Sequence, residues 1–260
     1  MEQVEALGKI IAVANQKGGV GKTTTAVNLS ACIAELGERV LLVDLDPQGN
    51  ATSGLGKGEA QENTIYDVLI GNAEPADAVL DTEFAGLKLI PTAIELAGAE
   101  IELVALEDRE LLLKRALEKL RGDYDYIFID CPPSLSLLTI NALSATDSVL
   151  IPIQCEYYAL EGLGQLTNTL RLMRRKLNPA LEIEGILLTM FDARTNLCAQ
   201  VVQEVRAHFP DEVFETVIPR NIRLSEAPSY GMPIHVYDPR CIGAKAYGEL
   251  AIEMLEKREA

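Results

Sequence analysis

Residues 15–25 read Asn15-Gln16-Lys17-Gly18-Gly19-Val20-Gly21-Lys22-Thr23-Thr24-Thr25, and this stretch constrains the chain more than any other. The ordinary phosphate-binding loop, G-x-x-x-x-G-K-[ST], would carry glycine at position 16. Here Gln16 and an additional lysine, Lys17, precede the glycine pair. Small residues let successive backbone N–H groups turn inward around phosphate oxygens, and a helix opening at Lys22 points its positive end at the same anions. Gly18, Gly19, Val20 and Gly21 therefore form the cradle and Lys22 supplies a mobile cation. Thr23 is placed to give its hydroxyl to Mg2+, and Thr24 can add a second hydroxyl to a phosphate. The chemistry this predicts is binding and hydrolysis of a nucleoside triphosphate.

The flanking pattern suits such a loop. Lys9–Ala14 is a short aliphatic run that predicts a strand, and Thr23–Leu36 is a helical pattern ending near Gly37. A second strand, Arg39–Asp44, leads into Asp44-Leu45-Asp46-Pro47-Gln48-Gly49-Asn50. Open α/β sheets place their ligands at the carboxyl ends of the strands, which is where Asp44 and Asp46 fall. A third acid has the same address: Tyr124–Ile129 predicts an apolar strand that delivers Asp130 just before Cys131-Pro132-Pro133. An acid ending a hydrophobic strand is the Walker B pattern, which positions Mg2+ and its waters.

Strands are also predicted at Leu87–Pro91, Ser148–Ile153, Ile183–Met190 and Val213–Ile218. Helical pieces are predicted at Tyr66–Ile70, Ala76–Leu80 and Asp108–Arg121. Apolar strands alternating with amphipathic helices, with no Gly/Ser/Pro linker or charge run between them, predict one α/β domain over residues 1–260. That domain would be a P-loop fold with a mostly parallel twisted sheet and helices on both faces. Five widely spaced cysteines without a C-x-x-C pair fit a reduced compartment, and Cys131 reads best as a small buried strand-end thiol. Met1–Gly8 does not resemble a signal peptide, and no apolar run approaches the length of a membrane span.

Taken together, these segments resemble the ParA/MinD superfamily of deviant Walker A ATPases, and most of all the short chromosomal ParA proteins called Soj. The resemblance runs from about Lys9 to Leu255. It is carried by Asn15–Thr25, Asp44–Gly56, Asp130–Ala142, Gln154–Gly162, Thr189–Asn196 and Ile218–Gly231. It implies that Lys17 is the signature lysine, reaching the phosphates held by a second subunit in an ATP-sandwiched homodimer. Asp46 would position the attacking water, Asp44 would sit near the metal and its waters, and Asp130 would be the Walker B acid. Pro219 and Asn221 would frame the adenine, although from the residues alone 218–221 is an ordinary strand exit. The nitrogenase iron protein shares the deviant loop, but the paired cysteines its cluster needs have no counterpart in matching context.

The resemblance further implies non-specific binding of double-stranded DNA through Arg194 and Arg223, and a ParB-like centromere-binding partner that stimulates hydrolysis. The setting would be cytoplasmic and nucleoid-associated. A formal net charge of −16 is the reverse of the usual nucleic-acid footprint, but a local patch shared by two subunits can still neutralise a few phosphates. Ion pairing with nearby acids such as Asp192 or Glu226 is the alternative reading of both arginines. Arg171-Leu172-Met173-Arg174-Arg175-Lys176 reads more simply as a complement to the carbonyl end of its helix. Two alternatives share the nucleotide switch: a ParA-like ATPase positioning another cargo, and a MinD-like membrane-positioning ATPase. The acidic Gly243–Ala260 tail lacks a basic lipid-binding face, and Ile242, Leu250, Met254 and Leu255 predict a terminal helix packed on the domain.

Overall fold

A computed structural model describes residues 7–58, 61–157 and 159–259. The reading of the amino terminus therefore lies outside the described residues, apart from Leu7 and Gly8. Seven strands form one sheet in the order β3-β4-β2-β5-β1-β6-β7. They are β1 (Lys9–Val13), β2 (Val40–Asp44), β3 (Leu80–Asp81), β4 (Leu87–Ile90), β5 (Tyr126–Asp130), β6 (Ser148–Gln154) and β7 (Glu182–Thr189). Only β3 runs antiparallel to its neighbour. Helices α1 (Lys22–Glu35), α2 (Asn50–Gly54), α3 (Ile65–Ile70), α4 (Leu96–Leu103), α5 (Leu112–Glu118) and α6 (Leu137–Ala145) connect the first six strands. The rest are α7 (Ala159–Lys176), α8 (Asn196–His208), α9 (Ile222–Glu226), α10 (Ile234–Tyr237) and α11 (Ile242–Glu259).

The central strands are apolar throughout because both faces of a parallel sheet are covered. Alternate side chains feed two cores. Ile10, Ala12, Leu41, Val43, Ile127 and Ile129 join one that includes Leu113, Leu143 and Leu163 from α5, α6 and α7. Ile11, Val13, Leu42, Tyr126 and Phe128 join the other, built with Leu29 of α1 and Leu250 of α11. Burying these side chains stabilises the fold by roughly 1.5–3 kcal/mol for each large aliphatic or aromatic residue.

Topology sets the site. β5 inserts between β1 and β2, so Asp130 pairs in register with Val13 on one side and Asp44 on the other. The loop after β1 and the acids ending β2 and β5 thus share the carboxyl edge of the sheet.

Three predicted elements differ. The helix expected over Asp108–Arg121 is confined to Leu112–Glu118, because buried Asn141 of α6 accepts from the Leu113 N–H at 3.1 Å and donates to the Arg109 carbonyl at 2.7 Å. The segment expected as Ala76–Leu80 is a 3-10 turn at Pro75–Ala78 followed by β3. The strand expected over Val213–Ile218 is reduced to isolated bridges at Val213 and Pro219. Phe214 and Ile218 still donate to the Ile186 and Leu188 carbonyls of β7 at 3.0 and 2.9 Å, but between them the Glu253 carboxylate of α11 takes the N–H groups of Glu215 and Thr216 at 2.8 and 3.0 Å, so the ladder is interrupted there. Gly185 of β7 makes room for buried Phe214, since a Cβ there would lie 2.3 Å from its ring. Leu250 and Met254 of α11 are buried and Leu255 packs beside them, whereas Ile242 is 56% exposed.

Candidate active site

The phosphate loop is built from backbone. Gly19 and Gly21 adopt φ of +75° and +89°, the left-handed region where a side chain would be strained. Gly21 also occupies the N-cap of α1 and makes no side-chain cap, so the first N–H groups of the helix stay directed into the loop. The loop is tied to the sheet from both sides. Asn15 donates to the Pro152 carbonyl at 2.8 Å and accepts from the Lys17 N–H at 3.0 Å, while Thr189 donates to the Val20 carbonyl at 2.9 Å. Gly18 stands open, with only the Pro133 Cβ as far as 4.0 Å from an added methyl. Lys22 is buried and donates to the Lys17 carbonyl at 3.2 Å. Burial lowers its pKa from the ordinary lysine value, against the opposing pull of Asp130, Cys131 and Asp46.

Asp44, Asp46 and Asp130 are brought together here, all buried. Asp44 Oδ2 accepts from the N–H and the hydroxyl of Thr52, each at 2.7 Å, and Oδ1 accepts from the Asp46 N–H at 3.2 Å. Burial pushes the Asp44 carboxyl up to about 6, although the hydrogen bonds from Thr52 and Asp46 hold it down. Asp46 accepts from the Gln48 N–H at 3.0 Å, which fixes the turn that presents it. Asp130 differs: it is fully buried and neither carboxylate oxygen receives a hydrogen bond of normal geometry. Its pKa stands well above the usual carboxylate range, first through burial and then through Asp44; the nearby Thr23 hydroxyl and Lys22 oppose the shift.

A buried acid with both oxygens open, next to Thr23 at the loop mouth, is the donor set a hydrated Mg2+ requires, since that ion prefers oxygen ligands and retains waters. The residues fit the metal.

Beside the loop, Gly21, Thr24, Thr189, Met190, Pro219 and Asn221 line a cavity of about 330 Å³ that Tyr247 also reaches. Pro219 and Asn221 are thereby placed beside the glycine-rich loop, and Asn221 also caps α9 by accepting from the Arg223 N–H at 2.8 Å. Met190, Ser225 and Tyr247 of this wall carry no motif by which sequence could have found them. Thr52 was equally silent, because an ordinary threonine eight positions beyond Asp44 has no pattern of its own. A larger cavity of about 540 Å³, walled by Phe84, Lys88 and Tyr124, lies at the opposite edge of the sheet.

The two arginines are in ion pairs. Arg194 grips Asp192 through two contacts of 2.9 and 2.6 Å, and Arg223 meets Glu226 at 2.7 Å and Asp238 at 3.4 Å. Within the basic run closing α7, Arg174 donates to the Leu181 carbonyl at 2.5 Å. All five cysteines are free, and Cys131 is fully buried, which pushes its thiol up.

A family model described as an AAA domain matches residues 8–183. The chain is 64% identical over 249 residues to the sporulation initiation inhibitor protein Soj of Bacillus subtilis, covering 95% of this chain and 98% of that protein. It is 54% identical to the chromosome partitioning protein ParA of Caulobacter vibrioides, covering 96% of this chain and 94% of the other. The chain belongs to the ParA/MinD superfamily, in its Soj/ParA branch. A solved structure of cobyrinic acid a,c-diamide synthase from Mycobacterium smegmatis, with bound ADP and magnesium, superposes with a TM-score of 0.86 at 40% identity. It covers 97% of this chain and 96% of that one. A Soj/ParA chain thus gathers a glycine-rich loop, three buried acids and a side cavity at one edge of its sheet.

Proposed function

We propose that this Soj/ParA protein is an ATPase of chromosome or plasmid partitioning. ATP closes it into a two-fold sandwich dimer, the dimer holds DNA without reading sequence, and a ParB-like partner stimulates the hydrolysis that releases it. The observation that carries this reading is the orphaned Asp130 carboxylate beside Thr23, at the mouth of a loop whose helix-end N–H groups have no side-chain cap. Relatives named for chromosome partitioning and sporulation control, matched along nearly their whole length, support the cellular role.

In the proposed reaction the N–H groups of Gly18–Gly21 and the Lys22 ammonium bind the phosphates, while Pro219 and Asn221 hold the base. Thr23 and Asp130 would hold Mg2+, with Asp44 behind them; when bound, the ion neutralises charge on the phosphates. Asp46 orients the attacking water. Lys17 of one subunit neutralises the transferring phosphoryl group held by the other, as an arginine finger does. Arg194 and Arg223 exchange their carboxylate partners for DNA phosphates. Surface pairs of this kind are worth only about 0–1 kcal/mol, so the exchange is cheap.

Among the described residues no helix is long and apolar enough to cross a membrane, and Tyr247, Leu250, Ala251 and Met254 of α11 are already packed against the domain. The reading is tested by binding to non-specific duplex DNA and to anionic liposomes with ATP, ADP or no nucleotide at fixed salt. ATP-dependent, salt-sensitive DNA binding is expected, prolonged in Asp46→Ala and lost in Arg223→Glu. Liposome binding without DNA binding would overturn it in favour of membrane positioning.

A further inference from the structure

Lys17 is not idle in the single chain. Its ammonium meets the Glu156 carboxylate at 2.8 Å, with the two side chains 41% and 47% exposed. Glu156 follows β6, and its backbone is fixed on both sides: its N–H donates to the Gln154 carbonyl at 2.8 Å and its carbonyl accepts from the Ala159 N–H at 3.0 Å. The preceding Cys155 N–H donates to the Thr189 carbonyl of β7 at 3.1 Å, so the elbow is pinned to the sheet. The Lys17 backbone is held just as firmly, by Asn15 below and by Lys22 on its carbonyl. Two fixed backbones 139 positions apart therefore present one cation to one carboxylate. The pattern of the loop assigns Lys22, not Lys17, to the chain's own phosphates, which leaves Lys17 free to be held elsewhere.

We propose that Glu156 is a positioning residue for Lys17. It holds the ammonium away from the phosphates of its own loop until a nucleotide phosphate on a second copy of the chain displaces the carboxylate. This rests on the reading that Lys17 acts across a dimer. The pair is a half-exposed ion pair, so its strength suits a catch that an incoming polyphosphate outcompetes; such pairs are worth about 0.2–1 kcal/mol. Releasing both catches in advance, one on each chain, should tighten the nucleotide-driven dimer by a factor of about two to thirty.

The experiment measures the dimer dissociation constant by analytical ultracentrifugation with Mg2+ and a non-hydrolysable ATP analogue. It compares wild type, Glu156→Gln, Lys17→Ala and Glu161→Gln. Glu161 is an exposed acid on α7 that removes the same charge without touching Lys17, so it controls for general repulsion between acidic chains. Glu156→Gln alone is expected to tighten the dimer, with the gain shrinking as salt rises from 50 to 500 mM, as screening of an exposed pair requires. ADP affinity and Tm should stay as in wild type. An unchanged or weaker Glu156→Gln dimer, a matching gain in Glu161→Gln, or an equal change in ADP affinity would overturn the proposal. Lys17→Ala separates the two levels: if it dimerises normally, the cross-subunit reading of Lys17 falls. If it cannot dimerise while Glu156→Gln behaves as wild type, only the role of Glu156 falls.

Discussion

The ends of β2 and β5 hold the same residue in the same register, one strand apart, and treat it in opposite ways. Asp44 and Asp130 are Cα partners across the sheet and both are wholly buried. Around Asp44 the chain has supplied three donors, two of them from Thr52. Around Asp130 it has supplied none of normal geometry. A buried carboxylate with its donors in place is part of the scaffold, since each hydrogen bond to a charged group stabilises by about 1.5–3 kcal/mol. A buried carboxylate without them is a cost that persists only where something outside the chain completes it. Equal burial thus separates into two roles, and the number of donors decides which.

The largest expected effect follows from that difference. Asp130→Asn should lower magnesium-dependent ATP turnover by at least about a hundredfold and raise the Mg2+ concentration for half-maximal rate, because a ligand to the metal is lost. Asp44→Asn should lower turnover by about tenfold, in the range found when a group that supports a metal site at one remove is changed. Steady-state phosphate release across a Mg2+ titration measures both. Equal losses and equal shifts in Mg2+ dependence would break the comparison.

Stability against pH sharpens it. Both carboxyls have folded pKa values raised above the unfolded one, so the folded chain keeps protons that the unfolded chain releases. Their contribution to stability without nucleotide or metal should therefore be greatest at low pH within this window and fall as pH rises from about 4. The Asp44 share of that loss is complete once pH has passed about 6. Asp130 adds to the decline, because its burial and the neighbouring Asp44 raise its pKa more than the Thr23 hydroxyl and Lys22 lower it. Urea unfolding in EDTA from pH 4 to 8 should show a shallower fall of stability with pH in Asp130→Asn than in wild type. An unchanged slope would assign it to other groups.

Much of this site could be read before the structure, and the reason is local geometry. A phosphate loop is one continuous stretch, so the spacing of Gly18, Gly19, Gly21, Lys22 and Thr23 already states which atoms converge. Asp44 and Asp130 were legible because each ends an apolar strand, and a parallel sheet sends such ends to one edge. What could not be read was long-range pairing. Nothing near Asp44 says that Thr52 will donate to it twice, and nothing near Asp130 says that no donor will come. Val213–Ile218 departs from expectation for the same reason: its apolar alternation suits a strand, and Phe214 and Ile218 do donate to β7, but Glu253 on α11 takes the Glu215 and Thr216 N–H groups between them and interrupts the ladder. Lys17 was recognised by its departure from the usual pattern, whereas its partner Glu156 lies 139 positions away.

Thr52→Val gives the smallest effect and the most direct test, because it moves Asp44 part of the way toward the condition of Asp130. Valine keeps the shape and the N–H at position 52. The hydroxyl is lost, and with it the 2.7 Å bond to Asp44 Oδ2 and the 3.1 Å bond accepted from the Thr92 N–H. Two hydrogen bonds in a buried place go, one of them to a charged acceptor, and the Thr92 N–H is left without that partner. A loss of about 1–3 kcal/mol is expected at pH 7. The hydroxyl is also the largest influence holding the Asp44 carboxyl down against its burial. Without it the folded pKa should rise above about 6, and the pH-dependent loss of stability should extend upward by the same interval. A variant that lost stability equally at every pH would show that Thr52 braces the β2 end without setting the charge of Asp44, and the donor count would then not be what divides the two acids.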